Sequence, residues 1–177
     1  MRPAPALVMF LLLASAAAHG AGIPGGVPWG ASMARVLAAQ PGTVIVRTGE
    51  RLITHDRLAS LPVAVTYRFR DGGLDAVSVL NRARHADRNE YIDDCVRLRR
   101  GLAVRWGEPY TDERAWRNDL FRERRERWGD AVAAGHLVYR VAWRSGGTGV
   151  VMTLASERLQ VSHEVVYRRR PAAAGDG

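Results

Sequence analysis

The chain has 177 residues, with 26 basic against 18 acidic side chains and no lysine, giving a net charge of +8 and a pI of about 10.8. Hydrophobic residues at 47% and charged residues at 25% fit a globular domain and exclude an intrinsically disordered one. A lone cysteine excludes a disulfide framework and a cysteine-based zinc site.

Residues 1–20 read as a signal peptide. Arg2 supplies positive charge, Ala6 to Ala18 form an apolar run, and Ala18-His19-Gly20 suits cleavage before Ala21. The run falls short of the ~20 residues a membrane span needs. No cysteine follows it, so there is no lipobox. The expected location is periplasmic or secreted, with no stable membrane span after signal cleavage.

Residues 21–28 are rich in Gly and Pro and form an irregular lead-in. Ser32 is an N-cap for a short helix that turns Val36 and Leu37 inward and stops at Pro41-Gly42. Thr43 to Arg47 is a β-branched strand, and Arg51 to Thr54 a short return, leaving His55-Asp56 in a loop. Val63, Val65, Tyr67 and Phe69 alternate with Ala64, Thr66, Arg68 and Arg70, a strand with one wet face. Asp71-Gly72-Gly73 turns the chain into a partner strand, Leu74 to Leu80.

A second helix is expected from Asp87 to Val104, with Tyr91, Cys95, Leu98 and Leu102 as its buried stripe. Cys95 then acts as a small core hydrophobe. A third helix is expected from Asn118 to Ala134, burying Leu120, Phe121, Trp128, Ala131 and Val132, although Gly129 weakens its middle. Glu113/Arg117 and Glu123/Arg127 have the spacing of helical ion pairs. Strands follow at His136 to Arg144, Val150 to Leu154 and Arg158 to Arg168, and residues 172–177 read as a disordered tail.

The expected class is α+β: amphipathic helices packed on antiparallel β-meanders. One helix-plus-meander unit covers 21–84 and a second, with two helices, covers 85–171. Both are small enough to need a shared core. Tyr67–Leu80 aligns with Val141–Leu154 through Arg70/Arg144, Gly72/Gly146, Gly73/Gly147, Val77/Val151 and Leu80/Leu154. Duplication and independent glycine turns both account for this match.

Val27-Pro28-Trp29-Gly30-Ala31-Ser32 with Val36-Leu37 resembles the opening of secreted bacterial proteins that begin WG-x-S-x-x-x-V. Arg105-Trp106-Gly107-Glu108-Pro109 closing a helix, with Trp143 in a strand, is similar to their second half. The helix-then-meander layout resembles the superfamily of β-lactamase inhibitor protein and the small outer-membrane-assembly lipoproteins. In those lipoproteins a G-x-S-x-x-x-V start and a G-x-P end frame one helical segment. Here Gly30/Ser32/Val36 and Gly107/Pro109 fall in different units, and the lipid-bearing cysteine is absent. The resemblance implies a non-catalytic domain that binds another protein through its sheet face.

No HExxH, paired CxxC, G-x-S-x-G or P-loop occurs, so no catalytic residue, metal or cofactor is assigned. His55, His85, His136 and His163 read as ordinary loop or strand histidines. Asp93-Asp94 diverge by ~100° on a helix and belong to a solvated face near Arg97, Arg99 and Arg100. The arginine excess is spread along the chain. Only Arg168, Arg169 and Arg170 form an uncompensated run, the candidate anion-binding residues. Trp116, between Arg114 and Arg117, is the candidate exposed aromatic. The expected function is a non-catalytic interaction protein with an envelope protein as partner. Its alternatives are an arginine-mediated binder of acidic polymer (lipopolysaccharide, glycan or nucleic acid) and a hydrolase with an unrecognised site, which a cleft bringing His55 and Asp56 to a nucleophile would support.

Overall fold

The computed structural model describes residues 23–40 and 42–170. The expected signal peptide over 1–20, Pro41 and the expected tail over 172–177 lie outside the described residues. The fold is mixed, with three α-helices against one dominant eight-stranded antiparallel sheet. No helix among the described residues is long and apolar enough to cross a membrane.

A 3-10 turn, Pro24–Gly26, leads into α1, Met33–Ala39. The Ser32 hydroxyl accepts from the Arg35 amide, as an N-cap should. Four strands follow as a meander: β1 (Thr43–Arg47), β2 (Arg51–Leu58), β3 (Leu61–Arg70) and β4 (Gly73–Asn81). Helix α2 spans Glu90–Trp106 and β5 spans Thr111–Trp116. A 3-10 turn, Arg125–Arg127, then opens α3, Trp128–Ala133. The second meander continues through β6 (Leu137–Ser145), β7 (Thr148–Glu157) and β8 (Gln160–Arg169).

The strand order is β1-β2-β3-β4-β8-β7-β6-β5. The two meanders therefore meet through β4 and β8, with Ser78 opposite Val166, and leave β1 and β5 as the edges. Alternation sends one set of side chains toward the helices: Val63, Val65 and Tyr67 on β3, Val150, Met152 and Leu154 on β7, Val165 and Tyr167 on β8. Val36 of α1, Cys95, Leu98 and Leu102 of α2, and Ala131 and Val132 of α3 join them in one core. Each such large side chain, when fully buried, is worth about 1.5–3 kcal/mol.

The Trp29-Gly30 pair serves this core. The Trp29 indole donates to the Thr148 hydroxyl at 2.7 Å, tying the N-terminal segment to β7. Gly30 donates to the Leu74 carbonyl, and the Leu74 amide donates back to Ala31. That pairing brings Gly30 so close to Gly73 that a Cβ on Gly73 would sit 3.1 Å from the Gly30 Cα.

Several expectations are corrected. The third helix shrinks to Trp128–Ala133, and β5 occupies part of the connection before it. Only Phe121 and Trp128 are large apolar side chains between 121 and 130, too few for a helical stripe, and Leu120 is 60% exposed. The Asn118 side chain instead accepts from the Leu120 amide in a local turn. Glu113 lies in β5, so its expected helical pair with Arg117 does not form; Arg127 pairs with Asp130. His55-Asp56 lies inside β2, because β3 is long enough to pair residues 51–58 without a break.

The internal match is also out of register. Residues 71–72 join β3 to β4, whereas 146–147 join β6 to β7. By position in the sheet, the Ala59-Ser60 turn corresponds to Gly146-Gly147, and Asp71-Gly72 to Arg158-Leu159. Both pairs are separated by the same number of residues, and all four turns hold two successive residues at positive φ. Glycine pulled the alignment onto the wrong hairpin, since Ala59-Ser60 and Arg158-Leu159 adopt the same turn without it.

Candidate functional site

Buried side chains of all three helices join the core on one face of the sheet, and the rows of the other, bare face lie outside that core. Strand pairing orders the bare face into rows. A central row runs Ile53–Thr66–Ser78–Val166–Val151–Ala142. The row on one side runs Arg51–Arg68–Ala76–Arg168–Gly149–Arg144. The row on the other runs His55–Ala64–Leu80–Glu164–Thr153–Arg140. Small and β-branched side chains thus form a largely apolar strip, interrupted by the hydroxyls of Thr66 and Ser78, with guanidiniums along one flank and a mixed flank opposite.

Two adjoining hollows indent this face. One, of ~370 Å³, is lined by Arg140, Gly149, Val151, Val166 and Arg168. The other, of ~180 Å³, is lined by Arg68, Ala76, Ser78, Glu164, Val166 and Arg168 among others. Val166 and Arg168 belong to both. Among the described residues, Arg51, Arg68, Arg140, Arg144 and Arg168 form no ion pair. The bare face therefore carries cationic groups that no carboxylate among the described residues neutralises by contact.

The expected anion-binding run is divided by the pleat. Arg168 stands on the bare face in the arginine row. Arg169 pairs with Thr148, whose side chain is buried on the helix side. The Arg170 amide donates to the Gly147 carbonyl and its side chain lies beside Gly149, back at the bare face. The run thus reinforces Arg51, Arg68 and Arg144, which are scattered in sequence and joined only by strand register. Their signal was the alternation of arginine with valine, alanine and threonine inside strands.

Trp116 is half-buried at the end of β5, edge-on to Trp128 with centroids 5.7 Å apart. The exposed aromatic is Tyr110, 59% accessible, with the Arg144 guanidinium 4.8 Å from its ring centroid.

The histidines divide differently from the expected pattern. His55 faces Arg82, with Nδ1 3.0 Å from the guanidinium, and Asp56 points to the opposite side of β2. Adjacent strand positions cannot aim both groups at one substrate. Asp94, expected in the solvated face, is 3% exposed. It accepts from the Asn81 amide at 3.0 Å, and His85 Nε2 lies 2.7 Å from it. His85 Nδ1 lies 3.1 Å from Glu90. Asp94 falls four residues before Leu98, so the buried stripe of α2 carries it inward. This cluster fastens the β4–α2 connection to the first turns of the helix. His163, next to Asn81 across the β4–β8 pairing, is 3% exposed with neither ring nitrogen hydrogen-bonded. Burial drives its pKa down to about 4, with Asp94 opposing, so the ring is neutral near pH 7.

Cys95 is 3% exposed in the core, and burial lifts its thiol pKa to about 12, with Asp112 and Asp94 adding to the effect. A thiol so held is a packing group. No cluster of three or more metal-ligating side chains occurs among the described residues. Comparison with protein-family models, with curated proteins and with solved structures finds no match to this chain.

Proposed function

We propose that this chain is a non-catalytic interaction module of the bacterial cell envelope that docks a protein partner on the bare face of its sheet. The observation that carries the reading is the joining of unpaired arginines to an apolar strip on that face. A partner that fits it presents carboxylates to Arg68, Arg140 and Arg168 and an apolar ridge to Val151 and Val166. Buried side chains of that kind give affinity, and the charges give orientation and association rate.

Two further parts of the reading rest on the chain itself. The signal-like residues 1–20 support export to the periplasm or beyond. The mirrored strand order and matched turn spacing support two tandem helix-plus-meander units that share one core. This layout is what the resemblance to the β-lactamase inhibitor protein superfamily implies, and it favours sheet-face recognition here.

The test is a cross-linked capture from the cell envelope with the tagged mature chain, washed at low and high salt. Two variants accompany it: Arg68, Arg140 and Arg168 all changed to Ser, and Val166→Asn. The proposal expects one stoichiometric protein that survives high salt and is weakened about tenfold or more by either variant. An acidic polymer in its place would respond to the arginine variant and to salt but little to the uncharged Val166→Asn. That result, or a protein retained equally by both variants, would overturn the proposal.

A further inference from the structure

On the helix side, a cleft of ~270 Å³ lies between α2 and the β5–β7 end of the sheet. Met152 of β7, Val141 of β6 and Cys95 of α2 form its apolar floor, with Val96 at the α2 side and Trp128 beside it. The size falls just below the ~300–1,000 Å³ of drug-sized ligand pockets and so suits only a small ligand.

Two features go beyond packing. The first is Tyr139, 8% exposed, which lines the cleft and whose hydroxyl is buried without a hydrogen-bond partner among the described residues. Such an orphan costs ~1–3 kcal/mol unless something accepts from it. The second is the set of guanidiniums that border the cleft. Arg99 is committed to Asp112 at 2.7 Å and to Glu108 at 3.6 Å. Arg114 and Arg125 form no ion pair among the described residues; each lies 5.4 Å from the Trp128 ring centroid. Strand pairing sets Arg114 directly beside Tyr139. Both arginines are close enough for their charge to oppose the upward push of burial on the Tyr139 phenol.

We propose that this cleft binds a short apolar monocarboxylate. Its hydrocarbon part lies on Cys95, Val141 and Met152, and its carboxylate is held by Arg114 and Arg125 with the Tyr139 hydroxyl as a further donor. A carboxylate is the simplest group that satisfies two unpaired guanidiniums and a phenol together. This site is separate from the bare face, so neither reading depends on the other.

The experiment is calorimetric titration of the mature chain with octanoate, with octan-1-ol as the uncharged control. The proposal expects saturable 1:1 binding of octanoate and about tenfold weaker binding of octan-1-ol. Arg114→Gln with Arg125→Gln should weaken octanoate about tenfold, and Val96→Trp should abolish it by filling the cleft. Val96 is 38% exposed, so that change is compatible with folding. Tyr139→Phe should weaken octanoate a few-fold while leaving thermal stability unchanged or raised, because the free protein gives the hydroxyl no partner. Absence of saturable octanoate binding, equal binding of octan-1-ol, or full binding by either the double arginine variant or Val96→Trp would overturn the assignment.

Discussion

His163 makes the protein sensitive to acid. Buried between Asn81 and the helix layer, it has a folded-state pKa near 4 against 6.5 for an unperturbed ring. Between those values the unfolded chain takes a proton that the folded chain refuses. Its contribution is complete above pH 6.5 and lost as pH falls toward 4, up to about 3 kcal/mol. Urea titrations at pH 7, 5.5 and 4 should show this loss in the natural chain. His163→Leu should flatten the part of the slope that the histidine causes, since other acid-sensitive groups remain in both proteins. Gly129 is the second decisive residue. Its amide donates to the Asn89 side chain at 2.7 Å, and a Cβ there would collide with the Arg88 carbonyl. Gly129→Ala should therefore destabilise by about 1–3 kcal/mol in chemical denaturation, despite the gain in helix propensity. Sequence marked Gly129 as a helix weakness when it is a close-contact position. It also placed Asp94 in solvent. The Asp94 error was legible in the spacing, since Asp94 falls four residues before Leu98 on the buried stripe; the Gly129 contact was not, because Arg88 and Asn89 are brought to it by the fold.

At the scale of elements, strands and hairpins were the legible part. Period-two patterning marked β3, and Asp71-Gly72 marked its turn. The Tyr91, Cys95, Leu98 and Leu102 spacing marked α2. What failed was β5, whose Thr111–Trp116 stretch carries Asp112, Arg114 and Trp116 toward the helices and reads as polar. As an edge strand, β5 tolerates charges that a central strand would not. The Arg158-Leu159 turn was missed: sequence began the last strand at Arg158, whereas β7 runs on to Glu157 and β8 starts at Gln160. Its residues sit at φ of 49° and 64°, where glycine and asparagine are favoured, and Leu159 is 74% exposed. Replacing Arg158-Leu159 by Asn-Gly should raise stability by about 1 kcal/mol and the melting temperature by a few degrees. An unchanged or lowered melting temperature would mean that the β7–β8 connection draws stability from the side chains it now has.

At the scale of the whole molecule, the sheet divides the chemistry. One face holds the core with His163, Cys95 and the Asp94 cluster. The other holds arginines that sequence separates and pleating aligns. The net charge of +8 gave no hint of this sorting, because Arg88, Arg99 and Arg127 on the helix side are matched by acids while Arg51, Arg68, Arg140, Arg144 and Arg168 of the bare face form no ion pair among the described residues. Only strand register distinguishes the two groups, so the run Arg168–Arg170 was visible in sequence and its companions were not.

The central claim, that the bare face is the binding surface, is tested most directly by position-specific photocross-linking in the cell envelope. A photoreactive phenylalanine analogue replaces Ser78, in the middle row of the bare face, or Val104, 91% exposed on α2. The account predicts one discrete protein adduct from position 78, lost when Arg68, Arg140 and Arg168 are changed to Ser, and none from position 104. An adduct from position 104 alone, or none from position 78, would contradict it.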